Sequence, residues 1–292
     1  MTHVAAIDVG GTTMKGGFVT RDGTIHRFER RPTPRDGGPA QVIAAISAFV
    51  TDLARPRDGV RPLAVGLAVP GLVTPAHAVF SAAFGWRDVP AHAFAPDVDV
   101  PVALGHDVRS AGEAELAYGD GGRDVLYLPI GTGIAGAVVL SGALYGGAGG
   151  WAGQIGHIPV RPGGAACGCG QRGCLAAYAS GGAVAARCGL PGAEEVVQAV
   201  LAGEARAVEV WGEAVEALAL ALATYTLVLD PAAIVIGGGV SQAGETLLGP
   251  LRSRLSGRLG FREAPEVRAS SLGARAGLMG AGLLGWRAVP GA

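Results

Sequence analysis

Three groups of residues in this 292-residue chain are of types, and at spacings, that do chemistry. The densest is His157, Cys167, Cys169 and Cys174, an H-x9-C-x-C-x4-C arrangement. Three thiolates and one imidazole complete a Cys3His tetrahedron, the closed form in which zinc is held. With no coordination position left for water, such a centre fixes the chain and does not activate a nucleophile. A disulfide knot is the rival reading, and an odd number of clustered cysteines in a chain expected to be cytosolic argues against it. Cys188 lies apart and is expected to be a small buried side chain.

The second group is glycine turns. IDVGGTTMKGG places Asp8 at the end of a strand, followed by Gly10, Gly11, Thr12 and Thr13. Glycines let backbone N–H groups face an anion, and threonine hydroxyls add donors. LPIGTGIAG repeats the device with Gly131, Thr132 and Gly133. The stretch DPAAIVIGGGVS holds Gly237, Gly238 and Gly239, where a flat ring could approach the backbone. A single turn of this kind is more often structural, but two in matching places of a repeated unit favour phosphate. Neither fits the P-loop pattern or the dinucleotide fingerprint. Asp8 beside the first turn is suited to holding Mg2+ through water; its bland reading is a turn-initiating aspartate. The third group is Asp107 in VALGHDVRSAGEAEL, at a strand end ahead of a helix. It is placed to accept a hydroxyl proton as general base, against the plain reading of a helix cap.

Positioning these residues requires a set of strands and helices. Val4–Val9, Gly17–Thr20, Thr24–Glu29, Leu63–Val69 and Val100–Leu104 read as strands, with a hairpin turn at Arg21-Asp22-Gly23. Pro39–Leu53 has helical spacing, and Ser110–Tyr118 reads as a helix capped by Ser110. The pattern restarts with strands at Asp124–Ile130, Ala135–Leu140 and Ala143–Tyr145. Helices follow near Leu175–Arg187, Ala193–Ala202 and Ala205–Leu229. A strand at Ala233–Ile236, a helix at Gly244–Leu255, a strand at Val267–Ala269 and a helix at Ala274–Trp286 complete the chain. A duplicated α/β unit predicts two domains around a cleft, residues 1–112 and 113–292, with the last helix (274–288) returning to the first domain. The absence of a short period excludes a solenoid.

Bulk properties narrow the function. Apolar residues make up 49% of the chain and charged ones 16%, which excludes wholesale disorder. A formal net charge of −1 gives no reason to expect nucleic acid or an anionic membrane. The N-terminus lacks the pattern of a signal peptide, and the run Ala217–Leu229 reads as too short to span a bilayer. The expectation is a soluble, cytoplasmic protein.

The chain resembles the ROK family of bacterial sugar kinases and repressors over essentially its full length, the glucokinases above all. The resemblance rests on DVGGT (Asp8–Thr12), AVPGLV (Ala68–Val73), the Asp107 segment, GTGIAG (Gly131–Gly136), GHI…CxCGxxGC (Gly156–Cys174) and IVIGGGVS (Ile234–Ser241). It implies an α/β, actin/hexokinase-like (ribonuclease H-like) ATPase fold, ATP and Mg2+ as cosubstrates, and transfer to a sugar hydroxyl, usually O6. By match, Asp107 falls on the catalytic base, and Asp8, Gly10, Gly11, Thr12 and Thr13 on the first phosphate segment. Gly131, Thr132 and Gly133 fall on the second, and Gly237, Gly238 and Gly239 on the nucleoside segment. Sugar contacts are implied at Gly71, His106, Asp107, Gln154 and His157. The family favours dimers and tetramers, and domain closure would exclude water.

Departures from the family pattern surround the sugar. Gln154 and Ala176 stand where the family commonly has glutamate, and His106 and Ala83 where it has asparagine. Thr13 replaces the usual lysine, with Lys15 nearby. Carboxylates are strong acceptors for sugar hydroxyls, so their loss is expected to weaken binding of plain glucose and to suit a modified or amino hexose. The competing readings are a degenerate kinase kept as a sugar sensor and a ROK-type repressor. A first phosphate strand at Val4 and the lack of a basic patch disfavour the repressor.

Overall fold

Val4–Val9 (β1) is apolar apart from Asp8 and buried at every position, as a strand covered on both faces must be. In the computed structural model, which describes residues 2–56 and 60–291, β1 pairs antiparallel with β2 (Thr13–Val19). β2 pairs antiparallel with β3 (Ile25–Pro32). Helix α1 (Gly38–Ala54) then turns Val42, Ile46, Phe49, Val50 and Leu53 onto Ile7, Val9 and Met14 of the sheet, the spacing of one helix face. β4 (Val65–Val69) joins β1 in parallel. Three short strands, β5 (Leu72–Val73), β6 (His77–Phe80) and β7 (Arg87–Pro90), form a small separate sheet. β8 (Val102–His106) pairs parallel with β4, and α2 (Asp107–Tyr118) follows without a break.

The second unit repeats this plan. β9 (Val125–Pro129), β10 (Ala137–Leu140) and β11 (Ala143–Tyr145) make an antiparallel meander. After α3 (Ala176–Ala179), α4 (Gly181–Cys188), α5 (Ala193–Leu201) and α6 (Ala205–Leu229), β12 (Ala233–Gly237) joins β9 in parallel. α7 (Glu245–Arg258) leads to β13 (Glu266–Ala269), parallel to β12. The sheet orders, β3-β2-β1-β4-β8 and β11-β10-β9-β12-β13, are the same topology. The closing helix α8 (Ala276–Ala288) belongs to the first unit, where Leu278, Ala281 and Trp286 cover Val4, Ala6, Val19 and Ala68.

The two compact units are Met1–Gly121 with Gly147–Trp151 and Arg275–Ala292, and Gly122–Gly146 with Ala152–Ala274. A boundary at 112/113 therefore falls inside α2. That helix begins at Asp107 and not near Ser110, because the His106 side chain caps it by accepting from Arg109 N–H at 3.3 Å. Ser110 is instead buried inside the helix. The helix expected at Leu175–Arg187 is broken at Ser180, whose hydroxyl accepts from Ala183 N–H and caps α4. β2 starts at Thr13, four residues earlier than expected, so Lys15 lies on a strand.

Helices Arg35–Ala54 and Ala205–Leu229 are long and apolar enough to cross a membrane by length and composition. The run Ala217–Leu229 was too narrow a reading of the second. More than half of the apolar stretch of α6 is buried, and Val210, Trp211, Leu218 and Leu222 pack with α7 and the β9–β12 strands. Its hydrophobicity is that of a core helix.

Candidate functional site

In the first unit β1, β4 and β8 run parallel, so Asp8, Val69 and His106 reach the same edge of the sheet. This brings Asp8 and Asp107 close enough for their charges to interact. Asp8 is buried, and that burial raises its pKa; Lys15 draws it down, and Asp107 pushes it up again. Lys15 Nζ lies 3.4 Å from Asp8 Oδ2. α8 closes the other side so tightly that a Cβ on Gly277 would sit 2.3 Å from Asp8 Oδ2.

The first glycine turn is tied from behind. Gly10 N–H donates to Thr13 O at 3.0 Å, while Thr33 donates from its N–H to Thr12 O and from its hydroxyl to Gly10 O. With both carbonyls engaged by Thr33, the turn keeps its repulsive oxygens away from an approaching anion. Thr33 was missed in the sequence because it comes from the far end of β3, twenty-odd residues away, and carries no local signal.

Asp107 is the first residue of α2, half-buried, with its Oδ1 accepting from Val108 N–H at 2.7 Å. His106 Nδ1 is the acceptor for Arg109 N–H, which puts the imidazole proton on Nε2. Burial holds the His106 pKa below its ordinary value, so the ring is neutral near pH 7. Gly71 turns with φ of 110°, and a Cβ there would lie 2.0 Å from Phe80 O. Ala83 is exposed, whereas Trp86 is fully buried against Phe84 and Phe94 and belongs to the core.

In the second unit the two glycine segments are stitched together at Ile130, whose N–H donates to Gly237 O while its carbonyl accepts from Val240 N–H. Thr132 and Gly133 are exposed. The turn is braced by the start of α4: Gly181 N–H donates to Gly131 O at 2.7 Å. Ser180 and Gly181 are both buried, the Ser180 hydroxyl capping α4 and the Gly181 N–H tying its start to the turn. The Ser-Gly-Gly run was their only mark in the sequence.

Gly238 and Gly239 of the GGG run differ in their surroundings. Gly238 has φ of 75°, and a Cβ there would lie 2.5 Å from Ile130 O, whereas Gly239 is exposed and open. Gly238→Ala is therefore expected to destabilise the protein by about 2 kcal/mol or more. Gly239→Ala should keep the parent Tm but bind nucleotide about tenfold more weakly. Thermal melts and calorimetric titration separate the two.

His157, Cys167, Cys169 and Cys174 come together, with all four ligand atoms within 4.8 Å of one another. His157 Nδ1 lies 3.7 Å from Cys167 Sγ, and Cys169 Sγ 3.8 Å from Cys174 Sγ. A tetrahedral zinc with Zn–S bonds of about 2.3 Å separates its ligand atoms by about 3.8 Å, so the donor set fits in identity and spacing. Burial and the adjoining thiols push Cys174 up to about 12, a crowding that a divalent cation at the centre relieves. His157 is held below its ordinary pKa by burial and is neutral, as a ligand must be. Gln154 precedes one short 3-10 turn, Ile155–His157, and His157 is its last residue. Ala176 opens α3, two residues beyond Cys174. Cys188 is outside the cluster.

A family model described as ROK family matches residues 4–287. The chain is 34% identical to a glucokinase of Halalkalibacterium halodurans, covering 95% of this chain and 93% of that protein. It is 31% identical to an N-acetylmannosamine kinase of Yersinia pseudotuberculosis, covering 82% and 83%. Among solved structures, a ROK family glucokinase from Streptomyces griseus in complex with glucose and AMPPNP matches with a TM-score of 0.87 and 30% identity, over 98% of this chain and 99% of that one.

Proposed function

We propose that this chain, which belongs to the ROK family and is an ATP-dependent sugar kinase of the actin/hexokinase-like fold, transfers the terminal phosphoryl group of ATP to the O6 hydroxyl of a hexose. The single observation that carries this reading is the meeting of Asp107 with Asp8 and its glycine turn at one edge of a sheet. Asp107 Oδ2 accepts the hydroxyl proton as the sugar oxygen forms its bond to phosphorus and the bond to the ADP oxygen breaks. Asp8, Gly10, Gly11, Thr12 and Thr13 of the first unit and Gly131, Thr132 and Gly133 of the second are assigned to the phosphates, and Gly237–Gly239 to the nucleoside. Asp8 would hold Mg2+ through water, and the ion when bound neutralises phosphate charge.

His157 Nδ1, Cys167, Cys169 and Cys174 are assigned to a structural Zn2+, which leaves His157 Nε2 for the sugar. A cytoplasmic location, where such thiols stay reduced, and a homodimer or homotetramer complete the reading.

The residues around the sugar support a modified acceptor. Gln154, Ala176, His106 and Ala83 replace two carboxylates and two amides of the family pattern. Each charged hydrogen bond removed weakens binding by roughly 1.5–3 kcal/mol, and Ala83 and Ala176 free space. His106 offers the sugar an Nε2 donor. An ATP-coupled assay over glucose, mannose, fructose, glucosamine and N-acetylated hexoses is the test. An amino or N-acetylated hexose is expected to give a higher kcat/KM than glucose. Glucose at the head of the series would remove the modified-acceptor reading. No ATP-dependent turnover on any sugar would remove the kinase reading.

A further inference from the structure

Tyr178 lies in α3, a helical turn beyond Cys174, and is buried. A buried phenol needs a partner for its hydroxyl, and Tyr178 Oη finds one in the cysteine loop, accepting from Ala165 N–H at 2.7 Å. Ala165 stands just ahead of Cys167, and its carbonyl accepts from the N–H of Gly173, the neighbour of Cys174, at 2.7 Å. The loop can come this close because residue 164 is glycine: a Cβ there would collide with Tyr178 Oη.

The ring is gripped as well as the hydroxyl. The guanidinium carbon of Arg161 lies 4.7 Å from the ring centroid and that of Arg187 5.7 Å, contacts that are favourable over an aromatic face. Glu213 pairs with both arginines and offsets the repulsion between them. Arg161 ends the segment that starts at His157, and that segment is zipped to the last cysteine. Leu175 N–H donates to Ile158 O, while Val160 N–H and Arg161 N–H both donate to Gly173 O.

The arms bearing His157, Cys167 and Cys174 therefore meet at one side chain. We infer that Tyr178 is a positioning residue that sets the cysteine loop in its liganding shape and so governs how slowly the loop releases its metal. The inference rests on the structural-zinc reading and adds a named residue to it. A loop pinned at its neck has less freedom to lose when it closes around an ion. Tyr225 in α6 supplies the contrast: it too is buried, but its hydroxyl has no hydrogen-bond partner among the described residues.

The test uses full-length, zinc-loaded protein mixed with excess 4-(2-pyridylazo)resorcinol, whose colour reports zinc as it leaves. Tyr178→Phe, which removes only the hydroxyl, and Gly164→Ala, which pushes the loop off it, are expected to release zinc about tenfold faster than the parent. Tyr225→Phe should release it at the parental rate. Ala165 is exposed, so its N–H can turn to water in Tyr178→Phe, and the Tm of this variant in excess zinc should match the parent's. Faster release at an unchanged Tm separates positioning of the loop from general stability. Parental release from either loop variant, acceleration shared by Tyr225→Phe, or a Tm that falls in step with the faster release would each overturn the assignment. Parent protein that carries no zinc would instead overturn the Cys3His reading itself, and the Tyr178 assignment with it.

Discussion

Asp107→Asn should lower kcat by about 10²- to 10⁴-fold while leaving nucleotide affinity unchanged. The amide keeps the shape of the carboxyl and can still accept from Val108 N–H, the bond that Oδ1 makes now. The start of α2 should therefore be preserved, including its cap from His106. What is lost is a group able to take the hydroxyl proton. Without it the attacking oxygen remains a neutral hydroxyl, and the barrier rises by the contribution of general-base catalysis. The neighbouring Asp8 cannot substitute, since its carboxylate is buried and already engaged with Lys15. Steady-state kinetics on the best sugar and calorimetry with ADP check both halves of the prediction. Undiminished turnover in Asp107→Asn would remove Asp107 as the base.

Cys169→Ser should abolish metal binding, lowering the metal content from one zinc per chain to near zero. The Tm should fall by roughly 5–10 °C, and the sugar KM should rise. The reason lies in how little else holds the loop. Arg161–Arg172 contains no buried residue, so this stretch adds nothing to the hydrophobic core. It is kept in place by backbone bonds such as Cys167 N–H to Gln171 O and Gly173 N–H to Ala165 O, and by the bond from Ala165 N–H to Tyr178 Oη. Those bonds are individually modest. The core of the second unit, built on α6, α7 and the β9–β12 strands, does not depend on the loop, so the variant should remain folded. His157 is both a member of the cluster and a proposed sugar contact, which couples the metal to KM. Elemental analysis of gently purified parent protein giving well below one zinc per chain would sink the Cys3His reading.

Much of the chemistry was legible because it depends on short spacings. The H-x9-C-x-C-x4-C pattern determined its ligand set by residue type alone, and the four donor atoms converge as that pattern requires. The strand-then-glycine signature at Asp8 and again at Gly131 revealed a repeated unit, and the two sheets share one topology. Both features are local, and local features survive in a one-dimensional reading.

Other features required the folded chain. The β5–β7 sheet has strands of two to four residues, too short for an alternating pattern to stand out. The start of α2 depended on a histidine acting as a cap, a role its residue type does not advertise. Nothing in the glycines themselves distinguished Gly238, pressed against Ile130 O, from Gly239, left open. That difference comes from β9 and β12 lying side by side, segments about a hundred residues apart in the chain.

The sequence by itself determined which residue types stand at which strand ends, and so the kind of chemistry. The return of the last helix to the first unit was an expectation of the sequence, but only the tertiary structure decided that it seals Asp8 through Gly277. It alone brought Asp107 within electrostatic reach of Asp8. The physical reason is that spacing along a chain fixes neighbours only within a turn or a strand, whereas burial and charge coupling depend on elements that meet after the chain has folded.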